Sequence, residues 1–203
     1  MQNKLTWPNY TKSEISEVIN VIKSGNVNYV NGKIGKKFEN LFSNWVKRKY
    51  SVALSNGTVA LELAIKSLTL PKKSEIMVTA RSFFSSASVI VRAGHIPKFI
   101  DINLKDQNIL VDDIEKKISA KTKAIICVHL AGNPCNMKKI LSISKKYNLK
   151  IIEDCAQAHG AKINNKMVGS FGNVATWSFC NDKIISTLGE GGMISTNEKK
   201  IYN

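Results

Sequence analysis

Lys183 follows five residues after Ser178, just beyond an apolar run, Val174 to Phe179, that stops at Asn181-Asp182-Lys183. The turn-rich stretch Gly189-Glu190-Gly191-Gly192 comes next. A lysine placed past the end of a buried strand can do chemistry. With its pKa lowered, the amine attacks a carbonyl and forms a Schiff base. The plainer alternative is a solvated lysine, common in a chain with this many of them.

Three further places carry residues that fit the same chemistry. At Ser55-Asn56-Gly57-Thr58 an apolar stretch turns and enters the helical pattern Val59-Ala60-Leu61-Glu62-Leu63-Ala64. Free N–H groups and the helix dipole make such a start a seat for phosphate, or simply a capped helix end. It is neither a G-x-G-x-x-G fingerprint nor a Walker loop. At Thr79-Ala80-Arg81-Ser82-Phe83-Phe84 two aromatics follow a strand; one ring could stack on a flat ligand, or both could pack in the core. At Ile151-Ile152-Glu153-Asp154 an acid ends a continuous apolar strand, which is costly unless the acid is partnered. Asp154 could pair with a pyridinium N–H or cap the following segment. Gln157 could donate to a ring oxygen or lie on the surface. A lysine for the carbonyl and an acid for the ring nitrogen are the groups that hold pyridoxal 5'-phosphate (PLP).

These residues need a scaffold that brings distant strand ends together. Thr11, with Glu14 three residues on, forms a capping-box pattern. Ile15, Val18, Ile19 and Ile22 then make one apolar helical face, and Gly25 ends that helix. Residues 26–36 read as a loop. A second helix takes Phe38, Leu41, Phe42 and Trp45 as its buried stripe. Short apolar strands at 52–54, 76–78, 97–100, 124–128 and 150–152 then alternate with helical patterns near 58–68, 83–93, 111–119 and 136–147. That alternation predicts an α/β fold with a mostly parallel central sheet and helices on both faces. In such sheets ligands bind beyond the carboxyl ends of the strands, where the four places fall.

Composition narrows the field. No apolar run approaches the ~20 residues that span a bilayer, and the N-terminus has no signal-peptide h-region, so no membrane insertion and a cytoplasmic setting are expected. Net charge is +15, but only Arg48, Arg81 and Arg92 are arginines among the 30 basic residues. The lysines are scattered, and base readout favours arginine, so no nucleic-acid partner is expected. A positive field still suits a phosphorylated cofactor and substrate. Cys127, Cys135, Cys155 and Cys180 contain no C-x-x-C pair, and the three histidines no H-x-x-x-H pair. No metal site is expected. Cys127, Cys155 and Cys180 lie in or beside apolar runs and read as buried thiols.

The blocks Ser55-Asn56-Gly57-Thr58-Val59-Ala60-Leu61, Glu153-Asp154-Cys155-Ala156-Gln157-Ala158-His159-Gly160, Trp177-Ser178-Phe179-Cys180-Asn181-Asp182-Lys183 and Gly189-Glu190-Gly191-Gly192, with Trp7-Pro8 and Ser24-Gly25, resemble the DegT/DnrJ/EryC1/StrS sugar aminotransferases. That family has the aspartate-aminotransferase-like (type I) PLP fold, and the resemblance covers almost the whole chain. It implies that residues 1–203 are the PLP-binding large domain, with an N-terminal helical segment over 1–50, and that the family's smaller C-terminal domain is absent from this sequence. It implies that Lys183 binds the cofactor covalently and later moves the proton. Asp154 would pair with the pyridine nitrogen and Gln157 with the ring hydroxyl. Gly57, Thr58 and Ser178 would hold the phosphate, and Phe83 would stack on the ring. The implied reaction moves an amino group, usually from glutamate, to a nucleotide-linked keto-sugar for surface polysaccharide, lipopolysaccharide or related glycan synthesis. A homodimer with shared active sites is implied too. A shortened chain that binds PLP without turnover is one alternative. A PLP-dependent sugar dehydratase of the same fold is another, although such relatives carry histidine at the lysine position. Ala80 and Leu188 depart from the family's usual proline and glycine.

Overall fold

The computed structural model describes residues 7–203. Residues 1–6, the start of the N-terminus read above as lacking an h-region, lie outside the described residues. In chain order the elements are α1 (Lys12–Lys23), α2 (Ile34–Val46), β1 (Tyr50–Leu54), α3 (Gly57–Ser67), β2 (Glu75–Thr79), α4 (Ser85–Arg92), β3 (Ile96–Ile100), α5 (Val111–Lys117), β4 (Thr122–Val128), α6 (Met137–Tyr147), β5 (Lys150–Asp154), β6 (Lys162–Ile163), β7 (Lys166–Met167), β8 (Val174–Ser178), β9 (Gly192–Thr196) and α7 (Lys199–Tyr202).

The strands rich in Ile and Val assemble into one sheet of order β1-β9-β8-β5-β4-β2-β3. Pairings β8–β5, β5–β4, β4–β2 and β2–β3 are parallel, while β9 runs antiparallel to β1 and β8. Side chains alternate across the sheet. Ile76, Val78, Ile126, Val128, Ile152 and Val174 pack against α3 and α4 through Leu61, Ile65, Val89 and Ile90. Met77, Ile125, Cys127 and Ile151 pack on the other face with Ile114 of α5 and Ile140 of α6. On that second face Trp177, Phe179 and Met193 meet Phe42 and Val46 of α2. Helices on both faces of a mostly parallel sheet are what the strand–helix alternation predicts.

Several local expectations change. The capping box forms: the Thr11 hydroxyl accepts the Glu14 N–H at 3.2 Å, and Glu14 accepts the Thr11 N–H at 2.6 Å. Yet α1 buries no residue, and Ile15, Ile19 and Ile22 are exposed. Helix α2 starts at Ile34, inside the stretch read as loop. Its inward side carries Phe42, Ser43 and Val46, with Phe38 partly buried, whereas Leu41 and Trp45 are exposed. The expected stripe was rotated, because the true contact surface follows Phe38, Phe42 and Val46 at helical spacing toward β8. Cys180 is only half-buried, since it sits in the turn after β8, while Cys135 is buried beside α6. Strand β9 and the β6–β7 hairpin carried no strong sequence signal.

Candidate active site

Gly57, Thr58, Phe83, Asp154, Gln157, Ser178 and Lys183 all line one cavity of about 500 Å³. It lies at the carboxyl ends of β5 and β8, on the α3–α4 face. Strand alternation decides which side chains reach it. Asp154 shares its face with Ile152, and Ser178 shares its face with Val174, both of which pack against α3 and α4. Glu153 and Trp177 point the opposite way.

Asp154 is nearly buried, at 8% exposure. Its Oδ2 accepts the Ser86 hydroxyl at 3.0 Å and its Oδ1 the Ala156 N–H at 3.2 Å. Burial pushes the carboxyl above the usual aspartate range; the Ala156 and Ser86 hydrogen bonds and the Lys183 charge pull it down only in part. A cationic N–H donor at this carboxylate would relieve that burden. The Gln157 amide is oriented by its backbone neighbour. Its Oε1 accepts the Ala131 N–H at 2.8 Å, so its NH₂ group remains a donor.

The α3 N-terminus meets Ser178 closely. Asn56 caps the helix through its side chain on the Val59 N–H at 2.9 Å, and its carbonyl takes the Ala60 N–H at 3.1 Å. The Gly57 and Thr58 N–H groups are left without an acceptor among the described residues, as the first turn of a helix requires. A Cβ on Gly57 would fall 2.7 Å from the Ser178 Cβ, so only glycine lets the two segments approach this far. Free N–H groups, a helix dipole and a hydroxyl at one point form an anion seat.

Phe83 is 64% exposed at the cavity rim, so its ring is not a core residue. The Lys183 amine is mostly shielded and donates to Asp182 Oδ2 at 2.8 Å. The loop around it is tied down by the Lys183 N–H on the Cys180 carbonyl, the Asn181 N–H on the Gly189 carbonyl and a Tyr10–Ser186 hydroxyl contact of 2.8 Å.

Residues not singled out from sequence complete the setting. Ser86 and Asp182 were missed because a serine in a helix's first turn and an acid in a turn carry no distinctive pattern. Glu153 is fully buried behind the site. One oxygen accepts the Phe171 and Gly172 N–H groups at 2.8 and 2.7 Å; the other accepts the Gly169 N–H at 2.7 Å and contacts His129 Nε2 at 3.2 Å. The Cys135 N–H donates to His129 Nδ1, so the ring proton sits on Nε2, facing Glu153. Arg48 lies 3.5 Å from Glu153 and donates to the Gly169 and Gly172 carbonyls at 2.7 Å each. Burial pushes Glu153 up, but the His129 hydrogen bond and the Gly172 and Gly169 N–H groups outweigh it, and the carboxyl lies below its ordinary range. His129, Glu153 and Cys155 also come within metal-binding distance of one another. The carboxylate is already saturated by donors and burial drives the Cys155 thiol well up, so the trio reads as structural.

The sequence model of the DegT/DnrJ/EryC1/StrS aminotransferase family matches residues 8–203. The chain belongs to this family. As a DegT/DnrJ/EryC1/StrS member it is 44% identical over 172 residues to a GDP-perosamine synthase of Escherichia coli, covering 85% of this chain and 47% of that protein. The crystal structure of an aminotransferase from Psychrobacter cryohalolentis superposes with a TM-score of 0.95 at 44% identity, over 97% of this chain and 50% of the other. An Escherichia coli GDP-4-keto-6-deoxy-D-mannose-3-dehydratase with bound hydrated PLP gives a TM-score of 0.89 at 31% identity, over 97% and 52%. The chain spans about half the length of the curated relatives it matches.

Proposed function

We propose that this chain is the PLP-binding large domain of an aminotransferase that moves an amino group, from glutamate, to a nucleotide-linked keto-sugar. The observation that carries the reading is the meeting of a lysine, a buried strand-end acid and a helix-start anion seat around one cavity of cofactor size. The residues fit the cofactor. The unpaired Gly57 and Thr58 N–H groups with the Ser178 hydroxyl suit its phosphate. Among the described residues no cation contacts the buried Asp154 carboxylate, and a pyridinium N–H would supply one. The free Gln157 NH₂ suits the ring oxygen, and Phe83 at the rim can cover one ring face and exclude water.

When bound, PLP supplies an electron sink for loss of a proton from the amine-bearing carbon. The chain's own groups do the rest. Asp154 would keep a proton on the ring nitrogen. Lys183 would hold the cofactor's carbonyl carbon and would serve as the general acid–base that moves the substrate proton, a role that requires its free-base form. Loss of the ammonium proton would end the ion pair with Asp182. The reading carries with it a cytoplasmic homodimer and a role in glycan synthesis, lipopolysaccharide among the candidates.

Mixing the protein with PLP is expected to give a visible or near-ultraviolet band that borohydride fixes onto Lys183. No band, or a label on another lysine, removes the mechanism. Glutamate-dependent amination of keto-sugar nucleotides then separates an aminotransferase from a chain that binds PLP without turnover. The dehydratase reading is disfavoured by the lysine at position 183.

A further inference from the structure

We propose that Ser86 is a positioning residue for Asp154, and that Ser82 and Ser86 form a two-hydroxyl relay holding that carboxylate ionised and aimed into the cofactor cavity. The inference rests on the reading of the cavity as a PLP site and deepens it.

Ser86 is 1% exposed, and its hydroxyl donates to Asp154 Oδ2 at 3.0 Å. The Ser82 and Ser86 hydroxyl oxygens are 2.8 Å apart. A hydroxyl carries one proton. Since the Ser86 proton goes to the carboxylate, the Ser82 hydroxyl must donate to Ser86. With the Ala156 N–H on Oδ1, both carboxylate oxygens receive donors, so the arrangement suits an ion. A neutral acid protonated on Oδ2 would have to donate to Ser86 and turn both hydroxyls round.

The backbone fixes the relay. Ser82 lies in the bend before α4 and Ser86 in the helix's first turn, and their 2.8 Å contact joins the two. The Ser86 N–H bonds the Phe83 carbonyl at 3.0 Å, so the turn is closed where it meets β5. Ser82 lines the cavity, so the relay runs from the cavity wall to the acid. The other charged or titratable groups bearing on Asp154 are His129 after β4, Lys183 after β8 and the adjacent buried Cys155 thiol. Glu153 points to the opposite face of β5. No other serine or threonine donates to this carboxylate among the described residues.

The test uses the full chain and the Ser86→Ala, Ser86→Thr and Ser82→Ala variants. The first readout is the titration midpoint of the Asp154 carboxyl in cofactor-free protein, followed by carbon-13 NMR. Ser86→Ala is expected to raise it, Ser82→Ala to raise it less, and Ser86→Thr to restore it. The second readout is PLP affinity. Ser86→Ala is expected to weaken it about tenfold, the size of one lost hydrogen bond to a charged group. A Ser86→Ala protein that melts earlier yet keeps the wild-type Asp154 midpoint and PLP affinity overturns the proposal, because Ser86 is then merely structural. If Ser86→Ala does not fold, an unmoved midpoint in Ser82→Ala overturns the relay. Wild-type protein that binds no PLP at all overturns the cavity reading instead, and the carboxyl titration still decides whether Ser86 governs Asp154.

Discussion

Asp154 is held in an environment that does not suit it. Burial outweighs the hydrogen bonds from Ala156 and Ser86, so the carboxyl lies above its ordinary range in the folded chain. The linkage has a definite sign. A raised acid binds its proton more tightly folded than unfolded, so its contribution to stability falls as pH rises from the ordinary aspartate pKa through the folded value. At pH 7, above the ordinary aspartate value, the site therefore costs the cofactor-free protein stability. Asp154→Asn removes the charge and keeps an acceptor for Ser86. We expect this variant to melt higher than wild type at pH 7 without cofactor, by roughly 2–4 °C for each kcal/mol recovered in a chain this size, while PLP binding weakens. Thermal melts with and without PLP check it; a cofactor-free melting point below wild type would contradict the burial argument. The sequence marked this residue because an acid ending an apolar strand needs a partner. It did not mark Ser86, whose role depends on a helix entry packed against a strand 68 residues further along.

The proposed phosphate seat is a property of two elements rather than of any side chain. Helix α3 can point its first turn at Ser178 because Gly57 leaves room beside β8. Gly192 opposite Ser178 in β9 leaves room in turn for the Asn56 backbone. Gly57→Ala would place a Cβ 2.7 Å from the Ser178 Cβ and push the helix start away. The expected outcome is selective: affinity for PLP drops, while affinity for pyridoxal, which lacks the phosphate, changes little. Fluorescence titration with both compounds measures this, and equal losses for the two would point to general damage. The strand–helix alternation made most of this scaffold legible, since each strand was an apolar run with a turn at its end. What escaped was what local pattern does not encode. Strand β9 is short, opens on glycine and buries Ser195 and Thr196, so its apolar signal is thin. The apolar periodicity of α1 was real, but which side of a helix finds a partner is settled by the rest of the fold. Leu41 failed for the same reason. Leu188, noted for standing at a glycine position, does take a left-handed φ of 64°, so the backbone demand persisted without the residue that meets it most easily.

Across the whole molecule, buried charge ties together segments far apart in sequence. Arg48 from the α2–β1 link, His129 after β4 and the turn at 169–172 all converge on Glu153. Glu153→Ala leaves a buried guanidinium without its counter-charge and three N–H groups without an acceptor, a loss of about 3–5 kcal/mol. Denaturant melts should show it, and a loss below about 1 kcal/mol would mean the network is dispensable. The acid limb of stability has a separate origin in His159. Its ring is packed between Trp177 and Phe179 at 5.4 and 5.5 Å, and among the described residues neither ring nitrogen has a well-formed hydrogen bond, the Ser178 backbone offering only a weak one. Burial first, and the Lys183 charge second, push it down to about 4 from an ordinary value of 6.5. The folded chain thus refuses a proton that the unfolded chain accepts. Its contribution is fully present above 6.5 and is lost as pH falls toward 4, by roughly 3 kcal/mol across that window. Glu153, whose pKa lies below the ordinary carboxylate value of 4.5, loses its contribution only as pH falls further, so the two groups separate along the pH axis. Replacing the imidazole by an apolar group should therefore flatten the stability curve between pH 6.5 and 4 and leave the steeper fall below it. Chemical denaturation of His159→Leu and wild type at a series of pH values tests this, and two parallel curves through that interval would refute the assignment to His159.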